Sequence, residues 1–238
     1  MNRENFLYEN CQNIGVSLNQ EQIGQFMQFY EYLIKKNEVM NLTAITEYED
    51  VVIKHFVDSL SLVKAVPQIS NRKLQVLDLG SGAGFPGIPL KIAFPDLNIL
   101  LLDSLKKRVN FMNEVIDLCG LSGIQAVHGR AEEMANGEYR EHFDLCVSRA
   151  VANLSTLSEY CLPFVKISGL FTAYKTSAVE GELEAAQNAI HILGGKAREP
   201  YVFTLGGEYG RSLAVIDKIS ASPKKYPRKS GIPSRMPL

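Results

Sequence analysis

The chain has 238 residues, of which 46% are apolar and 21% charged, and its formal charge is −1. That balance excludes a mainly disordered chain. No apolar run reaches the ~18 residues of a membrane span, and the first residues lack the apolar stretch of a secretory leader. Length fits one α/β domain with an extension, or two small domains. The four cysteines (Cys11, Cys119, Cys146 and Cys161) form no C-x-x-C, and no His stands at zinc-ligand spacing from two of them. The expectation is four reduced thiols in a cytosolic protein, with no metal site and no membrane association.

The first 70 residues read as a helical extension. Ile23, Phe26, Met27, Tyr30, Leu33 and Ile34 recur at three- and four-residue spacing, with Asn19 and Gln22 as a capping box at the start. Thr46 and Glu49 predict a second capped helix that Pro67 ends. The polar stretch 68–73 marks a boundary. From 71 to 219 the pattern alternates between strand and helix. Strands are expected at 74–79, 98–103, 124–128, 143–148 and 170–175, and helices at 86–94, 105–119, 153–166 and 178–193. This order predicts an α/β domain with a mostly parallel sheet. Segments 197–204 and 211–219, joined by a Gly-Gly turn, read as a closing hairpin. The tail, 220–238, holds four prolines and is expected to be extended and mobile.

The strongest motif is D-L-G-S-G-A-G-F-P-G-I-P-L at 78–90, with Gly80, Gly82 and Gly84 between a predicted strand and a predicted helix. Glycine permits a tight turn and close approach of a ligand to the backbone. Asp103 ends the next strand, where a carboxylate can accept hydrogen bonds from the hydroxyls of a ribose. Two ligands fit this context, a dinucleotide or S-adenosylmethionine. The acid at Asp78 would repel a pyrophosphate, and it suits a ligand carrying an amino group and a sulfonium. The spacing favours S-adenosylmethionine and leaves both open. For Asp78 the alternative is a carboxylate that only braces the turn.

At these residues the chain resembles the RsmG (glucose-inhibited division protein B) methyltransferases. The likeness extends to Asn41-Leu-Thr-Ala-Ile45, His55-Phe-Val-Asp-Ser-Leu60, Asp103-Ser-Leu-Lys-Lys-Arg108, Gly129-Arg-Ala-Glu132, Ser148-Arg-Ala-Val-Ala152 and Pro223-Lys-Lys-Tyr-Pro-Arg-Lys229. One departure stands out. Lys36 occupies the position before Asn37 where the family carries Trp, and the chain has no Trp. The resemblance implies a Rossmann-like class I S-adenosylmethionine-dependent methyltransferase, with a seven-stranded, mostly parallel sheet and an N-terminal helical extension. It implies methyl transfer from S-adenosyl-L-methionine to N7 of a specific guanine in 16S ribosomal RNA. The partner would be that RNA, the small ribosomal subunit or an assembly intermediate, engaged by a monomer.

By the same resemblance, Gly80, Gly82 and Phe85 border the cofactor, Asp103 binds ribose, and Ala131 and Glu132 border the adenine. Arg149 belongs to the cofactor and active-site pocket and is the catalytic candidate, holding either the methionine carboxylate or guanine O6. The residues agree with N7 chemistry. The fourth strand, 143–150, lacks the N/D-P-P-Y/F motif of amine methyltransferases, and mid-strand Cys146 reads as packing rather than as the nucleophile a C5 methyltransferase needs. N7 has a free lone pair on the major-groove edge and loses no proton, so no general base is required. His55 and Asp58, three apart, suit a structural or cofactor-covering role or a catalytic pair. Lys175, after a strand, is expected at RNA or in solvent. A nicotinamide-dependent oxidoreductase, a small-molecule methyltransferase and a non-catalytic RNA-binding factor that keeps the cofactor fold are the alternatives.

Segregation of charge bears on the nucleic-acid question. Residues 218–238 carry six basic and no acidic side chains, a charge of +6, which leaves −7 on the other 217 residues. A basic, mobile tail with Tyr226 among its lysines is expected to engage RNA phosphates.

Overall fold

The computed structural model describes residues 2–149 and 152–238. Of the Ser148–Ala152 segment, Ala150 and Val151 lie outside the described residues.

Two helices open the chain, α1 (Arg3–Gln12) and α2 (Gln20–Met40). The capping box expected at Asn19 and Gln22 is present. The one expected at Thr46 and Glu49 is not. The helix begins one residue later, as α3 (Tyr48–Val51), with Glu47 at the N-cap and no side-chain cap bond. Tyr48 anchors the start instead, donating its hydroxyl to Arg3 O at 2.6 Å. The rod then widens into a π-helical segment (Val52–Val57), continues as α4 (Asp58–Leu60) and ends in a 3-10 turn (Ser61–Lys64). A π segment inserts residues into a helical face, and such segments concentrate at functional sites.

The alternating region forms β1 (Gln75–Leu79), α5 (Gly87–Ala93), β2 (Asn98–Asp103), α6 (Lys106–Leu118) and β3 (Ile124–His128). It continues with α7 (Ala131–Met134), β4 (Phe143–Arg149), α8 (Leu154–Cys161), β5 (Val165–Thr176) and α9 (Glu180–Ile192). The last strands are β6 (Gly195–Ala197), β7 (Tyr201–Leu205) and β8 (Tyr209–Lys218). The sheet runs β3-β2-β1-β4-β5-β8-β6, with β7 also on β8. Strands β3, β2, β1, β4 and β5 are parallel, and β8 is antiparallel to β5. The sheet therefore has eight strands where the resemblance implied seven. Residues 197–204 were expected as one strand. They break at Arg198-Glu199-Pro200, because Pro200 has no N–H for the ladder, and β6 and β7 pair end to end along β8.

Both faces of the sheet are covered, so its central strands read as continuous apolar runs. On one face Val76, Ile99, Leu101, Leu145 and Val147 pack with the N-terminal helices, α5 and α6. On the other, Leu77, Leu100, Cys146 and Phe171 pack with α8 and α9. All four cysteines are buried free thiols.

The tail is a docked strap rather than a mobile arm. Arg228 makes a bidentate pair with fully buried Glu159 of α8, with an Nη2–Oε2 distance of 2.6 Å. Arg140 donates to the carbonyls of Ser222 (2.8 Å), Tyr226 (2.9 Å) and Pro223 (3.3 Å). Tyr226 is buried, and a last short helix, α10 (Ile232–Arg235), lies against α8 through Thr156 Oγ1, which donates to Pro233 O. Among the described residues no helix is long and apolar enough to cross a membrane.

Candidate functional site

In open α/β sheets, ligands bind beyond the carboxyl ends of the strands where the strand order reverses. That point here lies between β1 and β4. A cavity of about 580 Å³ opens there, and Gly80, Gly82, Phe85, Asp103, Ala131, Glu132 and Arg149, the residues assigned to the cofactor by resemblance, all line it. The volume is in the ordinary range for a cofactor site.

The glycine turn forms the floor. Gly80, Gly82 and Gly84 have φ of 75°, 60° and 88°, a region open mainly to glycine. A Cβ on Gly82 would meet only Gly80 O, at 3.9 Å, and so would stand in the cavity where a ligand must lie. Gly80 N donates to Leu102 O at 2.7 Å, tying the turn to β2. Asp78 does not line the cavity. It is fully buried, and its Oδ2 accepts the N–H of Gly87 at 2.8 Å. Burial raises its pKa to about 7 against the lowering effect of that N–H and of Arg149. Asp78 is thus a brace of the turn, while its other oxygen, Oδ1, is buried without a partner.

Asp103 closes β2 at the far wall. Its carboxylate accepts Gly82 N (2.9 Å) and Leu105 N (2.8 Å), and Arg108 stands 3.7 Å away. Two backbone donors orient the group and leave acceptor capacity for hydroxyls. Glu132 sits in the first turn of α7 beside Ala131 and accepts the N–H of Gly231 from the tail at 3.1 Å. Tyr160 of α8 and Ser234 of the tail complete this end. Neither was legible as a site residue: α8 brings Tyr160 there and the docking of the tail brings Ser234.

Arg149, the last residue of β4, is the most constrained side chain of the site. Its guanidinium donates to Asp58 Oδ2 (3.0 Å) and Lys54 O (3.1 Å), meets His55 Nδ1 at 3.3 Å, and lies over the Phe85 ring at 5.0 Å. Asp58 also binds Arg211 of β8 through both oxygens, at 2.7 and 2.9 Å. His55 and Asp58 therefore meet through Arg149 rather than as a catalytic pair. His55 stacks on Phe85 with ring centroids 4.6 Å apart, and its Nε2 lies 2.8 Å from Thr43 Oγ1. Burial, then the charge of Arg149, lowers its pKa to about 4, so the imidazole is neutral at pH 7. Nδ1 stands between a donor, Arg149, and an acceptor, Lys54 O at 3.1 Å, while Nε2 meets the Thr43 hydroxyl, which can donate or accept.

Thr43 is placed by Asn37, whose Oδ1 accepts Leu42 N (2.7 Å) and Thr43 N (2.9 Å) and whose amide donates to Thr43 O (2.9 Å). The departure at Lys36 falls on the surface, where Lys36 pairs with Glu114 at 2.8 Å. Arg211 went unseen in the sequence because no local pattern links it to a helix 153 residues away. Lys175 is largely withdrawn from solvent, with its side chain 10% exposed. Its ammonium donates to Ala152 O (2.8 Å) and Glu182 (2.7 Å), pinning the loop after β4. Cys146 is inert, since burial holds its pKa well above the usual thiol value.

A family profile described as rRNA small subunit methyltransferase G matches residues 22–206. Proteins named ribosomal RNA small subunit methyltransferase G are 48% identical in Leuconostoc mesenteroides, over all of both chains, and 52% identical in Lachnoclostridium phytofermentans, over 97% of this chain and 95% of that one. Among solved structures, M. jannaschii TYW2 in complex with AdoMet superposes with a TM-score of 0.53 at 15% identity, over 68% of this chain and 77% of that chain. A mutant of MtNAS in complex with S-adenosylmethionine gives 0.56 at 15% identity, over 83% and 74%. These last two bear on the fold alone.

Proposed function

The chain belongs to the ribosomal RNA small subunit methyltransferase G family, and from that membership we propose that it transfers a methyl group from S-adenosylmethionine to N7 of one guanine in small-subunit ribosomal RNA. The observation that carries this reading is the meeting of the glycine turn, Asp103 and Arg149 around one cavity at the sheet's switch point. The open face of Gly82 and the cavity volume fit the cofactor.

S-adenosylmethionine supplies an electrophilic methyl group on a positive sulfonium. Asp103 holds the ribose hydroxyls, and Ala131 and Glu132 border the adenine. Gly80, Gly82 and Phe85 line the methionine side, with Arg149 at its end. The neutrality of His55 matters here, because a second cation beside a sulfonium would repel it. Asp58, shared by Arg149 and Arg211, offsets one of the two positive charges there for the same reason. No side chain needs to remove a proton, because N7 presents a bare lone pair. Catalysis then rests on holding the two reactants aligned, an effect worth roughly 7–11 kcal/mol in favourable cases. The RNA phosphates are met by the tail's exposed cations, Lys224, Lys225, Lys229 and Arg235.

The test is labelled methyl transfer to unmodified small-subunit RNA and particles, with the modified base mapped. The expected product is N7-methylguanine at a single position. Folded protein that binds the cofactor and labels no such substrate overturns the reading.

A further inference from the structure

A second cavity, of about 350 Å³, adjoins the first and shares His55 and Arg149 with it. Its apolar walls are Ile45, Ile53 and Leu205, and Lys54, Asp58, Tyr209 and Arg211 complete it. Two elements meet to form it, the π-helical segment and the β7–β8 hairpin. Gly206 in that hairpin has φ of 55°, and a Cβ there would come within 3.2 Å of Ile53. Glycine at this position lets the hairpin close against the helix.

We propose that this cavity receives the acceptor guanine, extruded from its RNA stack, and that Tyr209 and the guanidiniums of Arg149 and Arg211 select it. The assignment rests on the proposed function. A base that undergoes chemistry must leave its stack, and it is then held between aromatic and apolar side chains. The cavity is at the small end of ligand sites, in keeping with a single base rather than a nucleotide chain. Tyr209 is 39% exposed at its mouth, with Lys54 Nζ 4.3 Å from the ring centroid.

The polar groups discriminate between purines. Arginine is a donor only, so it matches the O6 acceptor of guanine and opposes the N6 amino donor of adenine. Asp58 also lines the cavity, but it is 2% exposed and both its oxygens are engaged by the two arginines, so it fixes the guanidiniums whose remaining N–H groups are the donors a base meets. Because Arg149 and His55 line both cavities, the two adjoin there, and a base held here lies next to the cofactor cavity.

The chain's lack of tryptophan supplies the test. Tyr209→Trp places a sole indole at the cavity mouth. Titration with unmodified small-subunit RNA, with S-adenosylhomocysteine present to prevent transfer, should quench its emission. The same RNA made abasic at the mapped guanine should bind without quenching. Equal emission changes with both RNAs would overturn the proposal. In parallel, Tyr209→Ala should bind S-adenosylmethionine as wild type does and lose at least tenfold in kcat/KM for RNA. Wild-type kcat/KM in that variant overturns the base pocket alone. Absence of methylation by the unaltered protein instead overturns the parent reading, while base-dependent quenching would still place the guanine.

Discussion

Asp58 is 2% exposed and accepts from two arginines that approach from different strands, Arg149 of β4 and Arg211 of β8. It sits on the rod formed by α3, the π segment and α4, so one carboxylate joins the N-terminal helices to the two strands that flank β5. Removing one member of a buried ionic network leaves the others charged and without partners, which typically costs about 3–5 kcal/mol. We expect Asp58→Ala to lose stability of about that size in denaturant unfolding. Methyl transfer should fall further than stability explains, because Arg149 then loses its orientation. Unfolding within about 1 kcal/mol of wild type, the range of an exposed ion pair, would remove Asp58 from that role.

Among the elements, the tail has the most consequence for the cofactor cavity. Its Gly231 N–H fixes Glu132, its Ser230 Oγ accepts from Arg130 at 2.9 Å, and its Ser234 forms part of the wall. Ending the chain after Ile219 should raise the Kd for S-adenosylmethionine about tenfold, a loss of roughly 1.4 kcal/mol. It should also lower the melting temperature, because Glu159 is left buried without Arg228. Calorimetry with the shortened chain decides. An unchanged Kd would mean that the strap contributes nothing to the cofactor. The sequence announced this element only by its prolines, which correctly exclude strand and long helix. Its anchors, Glu159, Arg140 and Glu132, lie 69 to 99 residues away and leave no local trace. The glycine turn was legible for the opposite reason: strand, turn, helix and the following strand's acid all fall within residues 75–103. The π segment and the break between β6 and β7 occupy a middle ground. Pro200 marks the break, whereas nothing in Val52–Val57 marks a wider helix.

At the scale of the whole molecule, folding redistributes the +6 of residues 218–238. Lys218 is buried at the end of β8, where it donates to the carbonyls of Leu162 and Leu193, and burial lowers its pKa to about 8. Arg228 is neutralised by Glu159. Four cations remain exposed, Lys224, Lys225, Lys229 and Arg235, on a strap fastened beside the cofactor cavity. Under the proposed function, so small a patch against an acidic body would limit indiscriminate attachment to RNA and concentrate it near the site. Each phosphate neutralised on a single strand contributes about −0.7 to the slope of log K against log salt, so four contribute about −2.8. Replacing the four with Gln should flatten the salt dependence of RNA binding by about that amount. Cofactor affinity should not move, because none of the four lines the cavity. Filter binding across a salt series, with calorimetry on the same variant, separates the cases. An unchanged slope would place the RNA contacts elsewhere on the surface. A shared loss of cofactor affinity would mean that the substitutions had loosened the strap rather than removed phosphate partners.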